Sequence, residues 1–169
     1  MAMIPQEPLP LHHSWPLFDA ETRLGIAGLS PFVLGPTPSP HAVGTIDSIL
    51  AARGVGVWEC DLRDNRLTWT AGVYDLFGLP RGMALERGLT VSIYRPHSRV
   101  AMEELRAHAI RHKRGFTVDV ELRQPDGDER WMRLSAVPVL GNGKVVRLCG
   151  LKIDVTAEYD MGMSCAKQS

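Results

Sequence analysis

An α+β domain is what this 169-residue sequence predicts, and three observations predict it. Two short strands, carrying Trp58 and Trp69, flank the turn residues Arg63-Asp64-Asn65. A series of helical pieces then fills the middle of the chain. Three longer strand segments close it, joined by the turn Pro125-Asp126-Gly127 and the loop Gly141-Asn142-Gly143.

Taken in order, residues 1–44 form a proline-rich arm. Eight of the twelve prolines lie in the first 40 positions. Proline fixes φ and removes a donor, so neither a regular sheet nor a long helix is expected there. The arm is nevertheless too apolar for a solvated tail: Trp15, Leu17, Phe18, Leu24, Ile26, Leu29, Phe32, Val33 and Leu34 need cover. Asp19 can cap a short helix over 20–27, with Glu21 in its first turn. The arm is expected to dock, on its own domain or on a partner.

A short helix is predicted over 45–53, with Thr45 as N-cap and Ile46, Ile49 and Leu50 on one face. Strands follow at about 55–62 and 66–70. Short helical pieces fill 71–93, broken at Gly78-Leu79-Pro80 and Gly88, with Val73, Leu76 and Phe77 facing inward. Pro96 precedes a longer helix over 97–113, whose apolar stripe is Met102, Leu105 and Ala109. Strand three, 115–124, alternates: Phe116, Val118, Val120 and Leu122 on one face, Thr117, Asp119, Glu121 and Arg123 on the other. Strand four spans 129–140. Strand five, 144–156, is apolar on both faces, with Val146 and Leu148 on one and Val145, Leu151 and Ile153 on the other. A sheet that is apolar on both faces must be covered on both.

The order and spacing of Gly54, Gly56, Trp58, Asp61, Leu67, Trp69, Phe77, Gly78, Pro96, Arg99, Gly115, Glu121, Arg123, Asp126, Gly127, Arg130, Trp131, Gly143, Gly150, Asp154 and Thr156 resemble a PAS domain. The likeness is to the fold-3 type of bacterial signalling proteins and covers residues 46–157. It implies a five-stranded antiparallel sheet with helices on one face. It also implies that Asp154-Val155-Thr156 is the exit motif where the last strand hands over to a signalling helix. Cys60 stands where relatives often carry an aromatic residue, which leaves room in the pocket region. The organisation expected is therefore an arm (1–44), a PAS domain (45–157) and a short tail (158–169) without a coiled-coil output helix.

Function classes narrow accordingly. The balance of 19 Lys+Arg against 19 Asp+Glu argues against nucleic acid or an anionic membrane as partner. No apolar run approaches a membrane span, and the N-terminus lacks a secretion signal, so a cytoplasmic protein is expected. Cys60, Cys149 and Cys165 have neither disulfide nor zinc spacing. His108 and His112 stand at i, i+4, but Ala109 breaks the metalloprotease pattern and no metal site is expected. The resemblance would place a haem ligand at Ala101 or Leu105, neither a histidine, and 71–94 holds no cysteine for a covalent flavin; haem and flavin are not expected, and the cofactor is left open.

No catalytic constellation is visible. The reading is a sensory or regulatory module that binds a small ligand, mediates homodimerisation or interaction with a partner such as a downstream signalling protein, or does both. Its rival is a ligand-free interaction domain, alone or as part of a sensor kinase or diguanylate cyclase. Pocket residues are expected to be Val73, Phe77, Met102, Leu105, Phe116, Val118 and Leu134. The interaction face is expected to be Trp131, Val145, Leu151 and Ile153, and the signal exit Asp154 and Thr156.

Overall fold

The computed structural model describes residues 12–24 and 46–166. Six antiparallel strands form one sheet: β1 (His12–Pro16), β2 (Val55–Asp61), β3 (Arg66–Trp69), β4 (Arg114–Arg123), β5 (Glu129–Gly141) and β6 (Lys144–Asp154). Their spatial order is β1-β4-β5-β6-β2-β3. The helices are α1 (Ala20–Leu24), α2 (Asp47–Ala52), α3 (Ala71–Phe77), α4 (Arg87–Ser92), α5 (Pro96–His112) and α6 (Thr156–Ala166).

The sheet has one strand more than expected, and the arm supplies it. His12–Pro16 pairs with β4, with Trp15 opposite Gly115. The expectation that proline bars this segment from a sheet is thus corrected. Only Pro16 lies in the strand, at its end, and β1 is an edge strand where a missing donor is tolerated. Gly115 makes the seat: a Cβ there would meet the Trp15 ring at 2.1 Å. The arm helix is seen over 20–24, while its expected continuation to 27 and the Thr45 cap lie outside the described residues.

Alternation divides the sheet into two faces. Phe116, Val118, Val120, Leu122, Met132, Leu134, Ala136 and Leu148 point toward α3 and α5 and form the larger core with Trp58, Trp69, Val73, Phe77, Met102 and Leu105. The opposite face carries Val57, Val137, Cys149 and Leu151, covered by Trp15, Ala20 and Leu50. Helices therefore lie on both faces, because α2 turns Leu50 onto the outer one. Asp47 at the start of α2 also ties the two sides together, its carboxylate accepting from the Ala71 N–H at 3.0 Å at the start of α3.

One facing expectation is reversed. Val145 packs with the helix-side core. The register shifts between Val139 and Leu140, so that Leu140 faces Val145 while Val139 faces Arg147. Val146 is the extra residue of this bulge, and one extra residue flips the side chains beyond it. At the far end α6 begins at Thr156, directly after the last strand.

Candidate functional site: a cation-lined cavity and the exit helix

A cavity of about 50 Å³ lies between the sheet and helices α4 and α5. That is room for roughly four water-sized groups. Trp58 and Cys60 of β2 and Leu67 of β3 form one wall. Arg87, Thr90 and Val91 of α4, then Tyr94, form another. Met102 and Arg106 of α5 close it above Phe116, Leu134, Leu148 and Lys152 of the sheet. Of the seven pocket residues expected from sequence, Met102, Phe116 and Leu134 line this space. Val73, Phe77, Leu105 and Val118 are instead packed into the surrounding core. Cys60, where the sequence leaves room, is part of the wall.

Lys152 was not foreseen. It is 6 % exposed. Its parity on β6 follows Leu148 and Gly150, so it points inward by the same alternation that buries them. Its Nζ lies 5.1 Å from the ring centre of Trp58, 5.2 Å from Trp69 and 4.7 Å from Phe77. Aromatic faces at this range attract a cation but accept no strong hydrogen bond. Among the described residues no carboxylate pairs with this ammonium. Burial depresses its pKa from 10.5 to about 7. Burial likewise raises the Cys60 thiol, with Arg106 beside it acting in the opposite sense. A charged residue at an inward strand position was the available signal.

The other cations have neighbours. Arg87 pairs with Glu103. Arg106 reaches Asn65 Oδ1 at 3.3 Å. Tyr94 is fully buried and its phenol is pushed upward, chiefly by burial.

On the outer face the charges are matched. Asp119, with no exposed surface, accepts two hydrogen bonds from Arg133 at 2.9 and 3.0 Å. Arg133 also reaches Glu158 of α6 at 3.2 Å. The Tyr159 hydroxyl donates to Asp119, and its ring stacks on Trp131 at 4.1 Å and 12°. Of the expected interaction face, Leu151 is covered by the chain's own arm, Ile153 is half-buried beside it, and Trp131 lies under α6. Val145, as noted above, is on the other side.

The expected exit residues meet at the start of α6. Asp154 Oδ1 accepts from the Thr156 N–H at 2.9 Å. Thr156 Oγ1 accepts from the Trp131 N–H at 3.0 Å, and the Val155 N–H donates to the Trp131 carbonyl at 2.9 Å. His108 and His112 stand ring to ring at 4.4 Å on the exposed end of α5. Among the described residues there is no metal-holding group of three or more His, Cys, Asp or Glu side chains. No described helix is long and apolar enough to cross a membrane.

The sequence profile of the PAS fold family matches residues 66–151, just over half of the chain. The chain belongs to the PAS fold family. This PAS domain is 26 % identical over 106 residues to the probable diguanylate cyclase DgcE of Escherichia coli K12, a match covering 62 % of this chain and 10 % of that protein. The chain thus spans about a tenth of the length of this curated relative. Among solved structures it is similar to a sensory box histidine kinase/response regulator from Burkholderia thailandensis, with TM-score 0.59 and 16 % identity over 73 % of this chain and 93 % of that one. It is also similar to the N-terminal domain of a diguanylate cyclase with PAS/PAC sensor from Marinobacter aquaeolei, with TM-score 0.57 and 17 % identity over 62 % of this chain and 98 % of that one. These structural likenesses establish the fold.

Proposed function

We propose that this PAS domain is a non-catalytic sensor that takes a small molecule into the cavity and passes the change to α6. The observation that carries the reading is the course of β6. Leu148 and Lys152 floor the cavity, and two residues later Asp154 caps α6. A ligand that favours one packing of β6 over another shifts the population of the two, and the seat of α6 shifts with it. The cavity's polar groups are mainly cations and hydroxyls, which supports binding rather than chemistry.

The working assembly in this reading is a homodimer that addresses a downstream signalling protein. Phe18 and Ile49 support pairing, since both are strongly exposed apolar side chains on segments that cover the outer face. The test of sensing is a melting-temperature screen against small metabolites, since a ligand of the native state must raise Tm. A hit is expected, and Leu134→Phe, which fills the cavity, should abolish it. A screen with no hit, or a hit indifferent to Leu134→Phe, overturns the reading. Sedimentation of a Phe18→Asp, Ile49→Asp double variant tests pairing; a dimer that persists unchanged overturns the proposed contact.

A further inference from the structure

Charge and shape together restrict what the cavity can hold. Four charged side chains face or flank it: Arg87, Glu103, Arg106 and Lys152. Arg87 and Glu103 neutralise one another at its side. Arg106 and Lys152 are left, from α5 and from β6, without a carboxylate: the first meets the Asn65 amide oxygen and the Cys60 thiol, and the second lies among aromatic rings. The remaining titratable groups facing Lys152, Cys60 and Tyr94, are neutral near pH 7, because burial is the leading influence on both and raises both. A buried cation without an anion costs free energy, and an anion brought to it recovers much of that cost. Much of the remaining wall is apolar, with Trp58, Met102, Phe116 and Leu134 prominent, and the Thr90 hydroxyl beside them donates to the Arg87 carbonyl at 3.0 Å.

We propose that the cavity binds a small organic carboxylate, its anionic end between Lys152 and Arg106 and its few carbons against Met102, Phe116 and Leu134. This rests on the reading of the cavity as a sensory pocket. The available volume of about 50 Å³ suits three or four carbons in all. The apolar floor favours an organic acid over an inorganic anion, which would leave those side chains unfilled. Binding places a counter-charge against β6, two residues before the cap of α6, so occupancy is coupled to the exit helix.

The test compares propionate and butyrate with their neutral amides, and with sulfate, on the whole chain. The carboxylates are expected to raise Tm by several degrees in a concentration-dependent way; the amides and sulfate are expected to do so far less. Lys152→Met should fold and lose the carboxylate response at least tenfold. A second readout follows the Lys152 side chain by ¹⁵N NMR, where propionate should hold the ammonium charged at a pH at which the free protein has lost it. If amides match carboxylates, or only the neutral metabolites of the screen bind, the charge assignment fails while the sensory pocket stands. If sulfate matches the carboxylates, the organic assignment fails. If carboxylates bind equally to Lys152→Met, or leave the Lys152 titration unmoved, the site is elsewhere and the proposal is overturned. If no carboxylate and no metabolite binds, both fall together.

Discussion

The two faces of this sheet bury charge in opposite ways. On the outer face each buried or half-buried acid has a base beside it: Asp119 with Arg133, Glu59 with Arg147 at 2.8 Å. The chain's own residues complete that face, Trp15 over its apolar centre and Tyr159 over its end. On the inner face Lys152 is also buried, yet its ammonium lies among three ring faces and, among the described residues, pairs with no carboxylate. An interior closed on itself satisfies its polar groups, and Lys152 at the cavity wall departs from that pattern. The difference separates a face whose charges are matched within the chain from one where a buried cation is left among aromatic rings.

The comparison breaks most directly at Trp15. Trp15→Ala removes a ring that is 1 % exposed and its Nε1 hydrogen bond to Thr117 Oγ1 at 3.0 Å. A loss of about 4 kcal/mol is expected, read from the urea midpoint. A loss below about 1 kcal/mol would mean that the arm decorates the outer face rather than supporting it.

Lys152→Met should act in the opposite direction and stabilise the unliganded protein by about 2 kcal/mol at neutral or lower pH. The pH dependence follows from its pKa, about 7 in the folded chain against 10.5 ordinarily. Between those values the unfolded chain holds a proton that the folded one has released. The wild type therefore gains stability as pH rises from about 7 toward 10.5, and below about 7 it carries the full penalty. The advantage of Lys152→Met should shrink through the same window. Thermal melts of both proteins across that range check the sign, and a pH-independent difference would contradict a buried, titrating amine.

The smallest effect is expected at α6. Tyr159→Phe removes one hydroxyl from Asp119 but keeps the stack on Trp131. A loss of about 1 kcal/mol is expected, with faster amide exchange confined to the start of α6. Uniformly faster exchange over the whole sheet would show that this contact supports the outer face rather than only the helix.

Much of the fold was legible in the sequence because local chemistry agrees with global placement. The turn at Asp64-Asn65 and the tryptophans on either side locate β2 and β3. Clean alternation locates β4, and proline at the first turn begins α5. Four features escaped. β1 was hidden by a proline count taken over the whole arm, when only Pro16 falls in the strand. Val145 was misfaced because a bulge cannot be read from alternation that assumes none. Inward parity separates inside from outside but not wall from packing; hence Met102, Phe116 and Leu134 line the cavity while Val73, Phe77, Leu105 and Val118 do not. Lys152 obeys the same parity and was missed because the inward pattern was sought among apolar residues alone.

The arm strand also decides how copies of this domain do not meet. With β1 added, the rims of the sheet are a five-residue strand ending in proline on one side and the four-residue β3, opening with exposed Arg66, on the other. Among the described residues neither rim offers a long row of unpaired amides, so each is a poor template for lateral growth by strand addition. Contacts made through side-chain surfaces, by contrast, form and release without rebuilding a sheet.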